Sequence, residues 1–113
     1  MIAEELINQL VPPLKPSDTA GQGLDWMDEF RCNQLPVVDD ERFLGFITSD
    51  ALLEGNSRDR SIDTFTLSGE DCHVAADTHF FEILKTSAEH KMQMVAVHNE
   101  LGRYCGVITT ADV

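Results

Sequence analysis

Apolar and polar positions along this chain follow two alternating rhythms, and the same order of rhythms occurs twice. From Asp18 to about Cys32 the apolar residues Leu24, Met27 and Phe30 fall near helical spacing, with Asp25, Asp28 and Glu29 on the opposite side. Asp18 and Thr19 stand where a helix cap is expected. Asp77 opens a second such stretch, whose apolar side is Phe80, Phe81, Ile83, Leu84 and Ala88. Each helix leads into a short apolar run of strand length, Gln34 to Val38 and Gln93 to Val97, ending in the turn-forming Asp39-Asp40-Glu41 and His98-Asn-Glu-Leu-Gly102. A second strand follows in each copy, Phe43 to Thr48 and Tyr104 to Thr109. The short connections predict two antiparallel hairpins. A helix over Ser49 to Glu54 completes the first copy, and its counterpart begins at Asp112-Val113, where the sequence stops.

The repetition extends to residue identity. A shift of 59 positions places Asp18-Thr19 on Asp77-Thr78, Gln34 on Gln93, Val38 on Val97 and Glu41 on Glu100. A two-residue insertion, Leu101-Gly102, changes the shift to 61, which places Arg42 on Arg103, Gly45 on Gly106 and Ile47-Thr48 on Ile108-Thr109. Nine of the 35 pairs are identical, where chance at ordinary residue usage gives about two. The predicted architecture is therefore α+β, a tandem repeat of two hairpin and helix units related by a pseudo-twofold axis. The repeats span residues 1–60 and 61–113, with an amphipathic segment from Ile2 to Leu10, a proline-rich approach from Pro12 to Pro16, and a polar linker from Gly55 to Ser61.

Composition narrows the function. Twenty acidic against eight basic residues give a formal charge of −12, which repels a nucleic-acid backbone. No apolar stretch approaches the roughly 20 residues of a membrane span, and the start lacks the basic and apolar regions of a signal peptide. Cys32, Cys72 and Cys105 are widely spaced and read as small buried side chains in a reducing, cytoplasmic setting. His73, His79, His90 and His98 lack metal-ligand spacing, so no metal site is expected. Asp39-Asp40-Glu41 reads as solvated turn charge, and no acid, base and nucleophile assemble into an enzyme active site. Met92 and Met94 read as core. Trp26 and Phe30, four apart on the first helix, suit either a dimer surface or the core.

The run Gln34-Leu-Pro-Val-Val-Asp-Asp40, the repeat ends Gly45-Phe-Ile-Thr48 and Gly106-Val-Ile-Thr-Thr-Ala-Asp112, and their duplication resemble a pair of cystathionine-β-synthase-type (CBS) domains, the Bateman module. The resemblance implies a regulatory module that is not an enzyme and has no resident cofactor. It implies an adenosine-containing ligand of the AMP, ATP or S-adenosylmethionine type between the repeats, a homodimer, and a regulated partner protein or domain. In the second repeat Gly106 and Val107 position Thr109, whose hydroxyl can donate to a phosphate, and Asp112 can accept from the ribose hydroxyls. Thr109 and Asp112 equally read as a helix cap with an acidic first turn. The resemblance adds Val74 and Ala75, with Met94, Val95 and Ala96, as neighbours of the adenine. In the first repeat Ala51 stands three residues after Thr48, and Asp50 is one position early, a rotation of about 100° on a helix. One competent site is expected, in the second repeat. A polyphosphate there needs Arg42, Arg103, Lys91 or a magnesium ion to offset the acidic surface.

Overall fold

The computed structural model describes residues 2–8, 10–55 and 57–109. In order these form α1 (Ala3–Leu6), α2 (Ala20–Phe30), β1 (Gln34–Asp39), β2 (Arg42–Thr48), α3 (Ser49–Glu54), a 3₁₀ turn at Ile62–Thr64, β3 (His73–Ala75), α4 (Phe80–His90), β4 (Met94–His98) and β5 (Tyr104–Thr109). The architecture is α+β, and both predicted hairpins are present as antiparallel pairs, β1 with β2 and β4 with β5. Strand β3, which the sequence pattern missed, adds to β4 in parallel. Its counterpart in the first repeat shrinks to one bridge, Leu14 to Val37. Three residues flanked by turns are too few to show a period of two.

The repeat is real, but its spacing through the helix and first strand is 60, not 59. Helix α2 spans Ala20–Phe30 and α4 spans Phe80–His90. Their left-handed C-caps are Arg31 and Lys91, and the hairpin bulges fall between Val37 and Val38 and between Val97 and His98. The spacing becomes 61 after the turns, so the second turn is longer by one residue rather than two. Asp40 and Glu41 both have positive φ, as a two-residue hairpin turn requires. The longer turn instead uses Gly102, with the Asn99 carboxamide accepting from the backbone N–H groups of Leu101 and Arg103. Hence Gln34 corresponds to Met94, and Asn33 to Gln93.

The caps move with the spacing. Thr19, not Asp18, caps α2, accepting from the Gln22 N–H at 3.2 Å, while Asp18 accepts from the Lys15 N–H in the preceding turn. His79, not Asp77, caps α4, its Nδ1 accepting from the Phe81 N–H. On α4, Ile83 and Ser87 face the core, whereas Phe81, Leu84 and Ala88, expected on the apolar side, are exposed. Cys72 is buried, with its thiol pushed up to about 11 by that burial, and Cys32 is half-buried. Cys105 is exposed, contrary to the expected burial, because it sits at the irregular end of the β4–β5 pair.

Two apolar clusters hold the molecule together, and the chain crosses between them. Ala3, near the start, is buried with Val74, Ile83, Val95 and Val97, whereas Ile62 is buried with Leu14, Ala20, Leu35 and Ile47. The backbone crosses in the same way. Asn8 pairs with Val107 on β5, and Ser68 pairs with Phe46 on β2. Alternation along β2 sends Ile47 into the cluster of Ile62 and Phe46 into the cluster of Ala3. Phe43, from the start of β2, stacks on its repeat counterpart Tyr104, with centroids 6.4 Å apart and planes 15° apart. The segment expected as a plain linker is docked. Arg58 and Arg60 carbonyls accept from the Gly21 and Ala20 N–H groups, and the Arg58 guanidinium donates to the Gly21 carbonyl and to Asp25.

Candidate functional site

Where the two hairpins begin, the repeats leave a cleft of about 400 Å³. Phe30 and Arg31 from the end of α2, with Asn33 and Gln34, form the side belonging to the first repeat. Gln93, Met94 and Thr109 form the other side, and Asn8 and Val11 contribute from the crossing N-terminal segment. The strand starts and strand ends meet here because Gln34 pairs with Thr48 and Met94 pairs with Thr109 in the two registers.

The residues predicted from sequence do not all converge. Thr109, half-buried at the end of β5, and Met94, 3% exposed, share the cleft. Val74, Val95 and Val107 are buried core, and Val107 also accepts from the Asn8 N–H through its carbonyl. Ala96 is buried beside a smaller cavity of about 200 Å³ with Phe43, His73 and His98. Ala75 lines a separate pocket of about 320 Å³ with Glu4, Asp77 and Glu100. Gly106 has φ +155°, and a Cβ there would lie 2.5 Å from Ile7 Cγ2, so it admits the crossing segment. Thr48 caps α3, accepting from the Ala51 N–H at 3.2 Å, and Asp50 is exposed in the first turn of that helix. Asp112 lies outside the described residues.

Charge separates this cleft, like the smaller cavity lined by Arg42, from the acidic outer pockets. Among the described residues its lining holds one cation, Arg31, and no carboxylate, in a chain of formal charge −12. The outer pocket of the first repeat, about 590 Å³, is lined by Asp39, Asp40, Glu41 and Asp63 with Lys15. Its counterpart in the second repeat carries Glu4, Asp77 and Glu100. An anionic ligand meets less repulsion in the central cleft than in either acidic outer pocket, and the central cleft is roomier than the cavity beside Arg42. The cations expected to help lie elsewhere: Arg103 pairs with Glu41 at 3.1 Å, Arg42 lines the smaller cavity, and Lys91 ends α4. Sequence reasoning missed Asn33, Gln34 and Arg31 as lining residues. The 60-residue spacing of the apolar helix positions Leu24 and Leu84 was the signal that would have aligned them.

Two titratable features stand apart from the cleft. His73 and His98 approach Nδ1 to Nδ1 at 3.0 Å, so one ring donates and the other must be neutral to accept. Burial, then the neighbouring His73, lowers the His98 pKa. Burial, reinforced by Cys105, raises the Tyr104 phenol well above its usual range. Among the described residues no group of three or more His, Cys, Asp or Glu side chains is placed to hold a metal ion, and no helix is long and apolar enough to cross a membrane.

Comparison with known proteins agrees with this architecture. Residues 3–57 match the family model of the CBS domain. A CBS domain pair/ACT domain protein of Thermotoga maritima superposes with a TM-score of 0.90 at 24% identity, covering 99% of this chain and 92% of that one. The structure of CBSX2 in complex with AMP superposes with a TM-score of 0.78 at 20% identity, covering 98% and 91%. Inosine-5'-monophosphate dehydrogenase of Methanocaldococcus jannaschii is 23% identical over 112 residues, which are 98% of this chain but only 22% of that protein. With its two crossed hairpin units and this central cleft, the chain carries a CBS domain over residues 3–57 and has as a whole the fold of a CBS domain pair.

Proposed function

We propose that this chain is a non-enzymatic regulatory module that takes an adenosine-containing ligand in the central cleft. The observation that carries this reading is that, among the described residues, the roomier cleft between the repeats is lined by Arg31 and no carboxylate in an otherwise acidic molecule. The AMP held by CBSX2, a protein of the same fold, supports the ligand class. In this reading Thr109 donates to a phosphate or ribose oxygen, Asp112 accepts from the ribose, and Arg31 supplies the balancing charge. A ligand of low charge is favoured over a triphosphate, which would need magnesium as a companion. Residues 1–60 and 61–113 act as the two repeats of a cytoplasmic homodimer. Regulation of a partner protein or domain follows when the ligand binds one relative tilt of the repeats better than another.

Isothermal titration with AMP, ADP, ATP and S-adenosylmethionine tests this reading. Saturation near one ligand per chain, weakened about tenfold or more by Asp112→Ala, is the expected result. Absence of binding by all four compounds overturns it. A second reading, a ligand-free dimerisation module, is favoured by α4, where Phe81 is 67% exposed and stacks with Phe80 and His79. That reading predicts a dimer at low concentration which Phe81→Glu dissociates, measured by sedimentation.

A further inference from the structure

Gln34 opens β1 at the cleft and is 5% exposed, yet its Nε2 has no hydrogen-bond partner. A buried amide left unpaired is destabilising, and folded proteins tolerate few of them. The second repeat shows that the fold does not require one. Its matching residue is Met94, which is 3% exposed, opens β4 and lines the same cleft. Methionine and glutamine have nearly the same length and volume, so packing does not explain the difference. What glutamine adds is a pair of N–H donors at the edge of a space that a ligand can fill. The terminal torsion of glutamine is broad and soft, so the carboxamide can turn toward the cleft at little cost.

We infer that Gln34 donates from Nε2 to an acceptor atom of the ligand, so that the first repeat reads a molecule anchored by Thr109 of the second. This inference rests on the cleft being the adenosine-type site proposed above. The acceptor is a ring nitrogen or a ribose or phosphate oxygen, all of which such a ligand carries. Gln34 is thus a specificity-determining residue, and its position couples ligand to the relative placement of the two repeats.

The test compares the full chain with Gln34→Met, which installs the second repeat's own solution, and with Gln34→Glu, which keeps the shape but removes the donors. Lys85→Met, a change at an exposed residue of α4 outside the cleft lining, is the control. Titration uses whichever of AMP, ADP, ATP and S-adenosylmethionine binds the unmodified chain most tightly. The expected result is a ligand-free melting temperature raised by about 4 °C in Gln34→Met, with affinity reduced about tenfold or more in both Gln34 variants and unchanged in the control. Undiminished affinity in Gln34→Met overturns this inference while leaving the ligand site standing. Failure of the unmodified chain to bind any of the four overturns both.

Discussion

The first and second repeats share helix length, cap positions and hairpin bulges, yet they differ in chemistry at two matched places, one buried and one half-buried. At the strand start the first repeat has Gln34 and the second has Met94. At the beginning of the second strand the first has Phe43 and the second has Tyr104. The unpartnered buried polar side-chain atoms among the described residues are Gln34 Nε2 and the Tyr104 hydroxyl, one from each pair. Each repeat therefore shows that the apolar alternative fits where the other carries an unpartnered polar group. Duplication supplies the fold, and at these two places the fold does not require the polar group.

The largest test of this comparison breaks the crossed architecture. Ile62 and Ala3 are both fully buried, each in the cluster built mainly by the other repeat. Ile62→Ala is expected to cost about 3 kcal/mol through lost burial and the cavity left behind. Chemical denaturation measures the loss. A single transition shows that the clusters fold as one unit, whereas two transitions would show independently stable repeats.

The matched glycines come next. Gly45 has φ +144°, and a Cβ there would meet Leu67 Cβ at 3.0 Å and the Ser68 carbonyl oxygen at 3.2 Å. At Gly106 the obstacle is the Ile7 side chain. Gly45→Ala and Gly106→Ala are each expected to destabilise by about 2 kcal/mol. Ile7→Ala should recover part of the Gly106→Ala loss in a double-mutant cycle, since it removes the obstructing branch. Leu67→Ala should recover less of the Gly45→Ala loss, because the Ser68 backbone remains.

Much of this fold is legible in the sequence, since the hairpins, α3 and the duplication follow from period and turn chemistry. The spacing was misread because identical residues need not be equivalent ones. Asp18 and Asp77 are identical, but the turn formed by Lys15 and Asp18 matches that formed by Ala75 and Thr78. That one-residue error also paired Gln34 with Gln93, hiding the difference between Gln34 and Met94. Of the candidate site, Thr109 was found from the repeat-end motif and Met94 from the family resemblance. Arg31 and Asn33 were not, because their place in the cleft depends on how one repeat packs against the other, which local pattern does not encode.

A smaller effect sharpens the aromatic contrast. Tyr104→Phe installs the Phe43 side chain at its matched place and removes the orphaned hydroxyl while keeping the stacked ring. Stability is expected to rise by about 1 kcal/mol, measured by thermal unfolding. A loss instead would show that the hydroxyl is satisfied in solution by a water or a partner.

The smallest effect concerns a feature confined to the second repeat. His73 and His98 correspond to Pro13 and Val38 in the first, so the histidine pair has no counterpart there. His98 has a lower pKa folded than unfolded, through burial first and the neighbouring His73 second. The unfolded chain therefore binds the proton more readily, and stability must rise with pH across this range. The contribution is fully present above the unfolded value of about 6.5 and is lost as pH falls below it toward the folded value. His98→Val, the first repeat's residue, should flatten the dependence of melting temperature on pH between about 5 and 7, leaving the carboxylate-driven loss at lower pH unchanged. An unaltered slope in that variant would assign the effect to other groups and remove the pair as a pH-sensitive difference between the repeats.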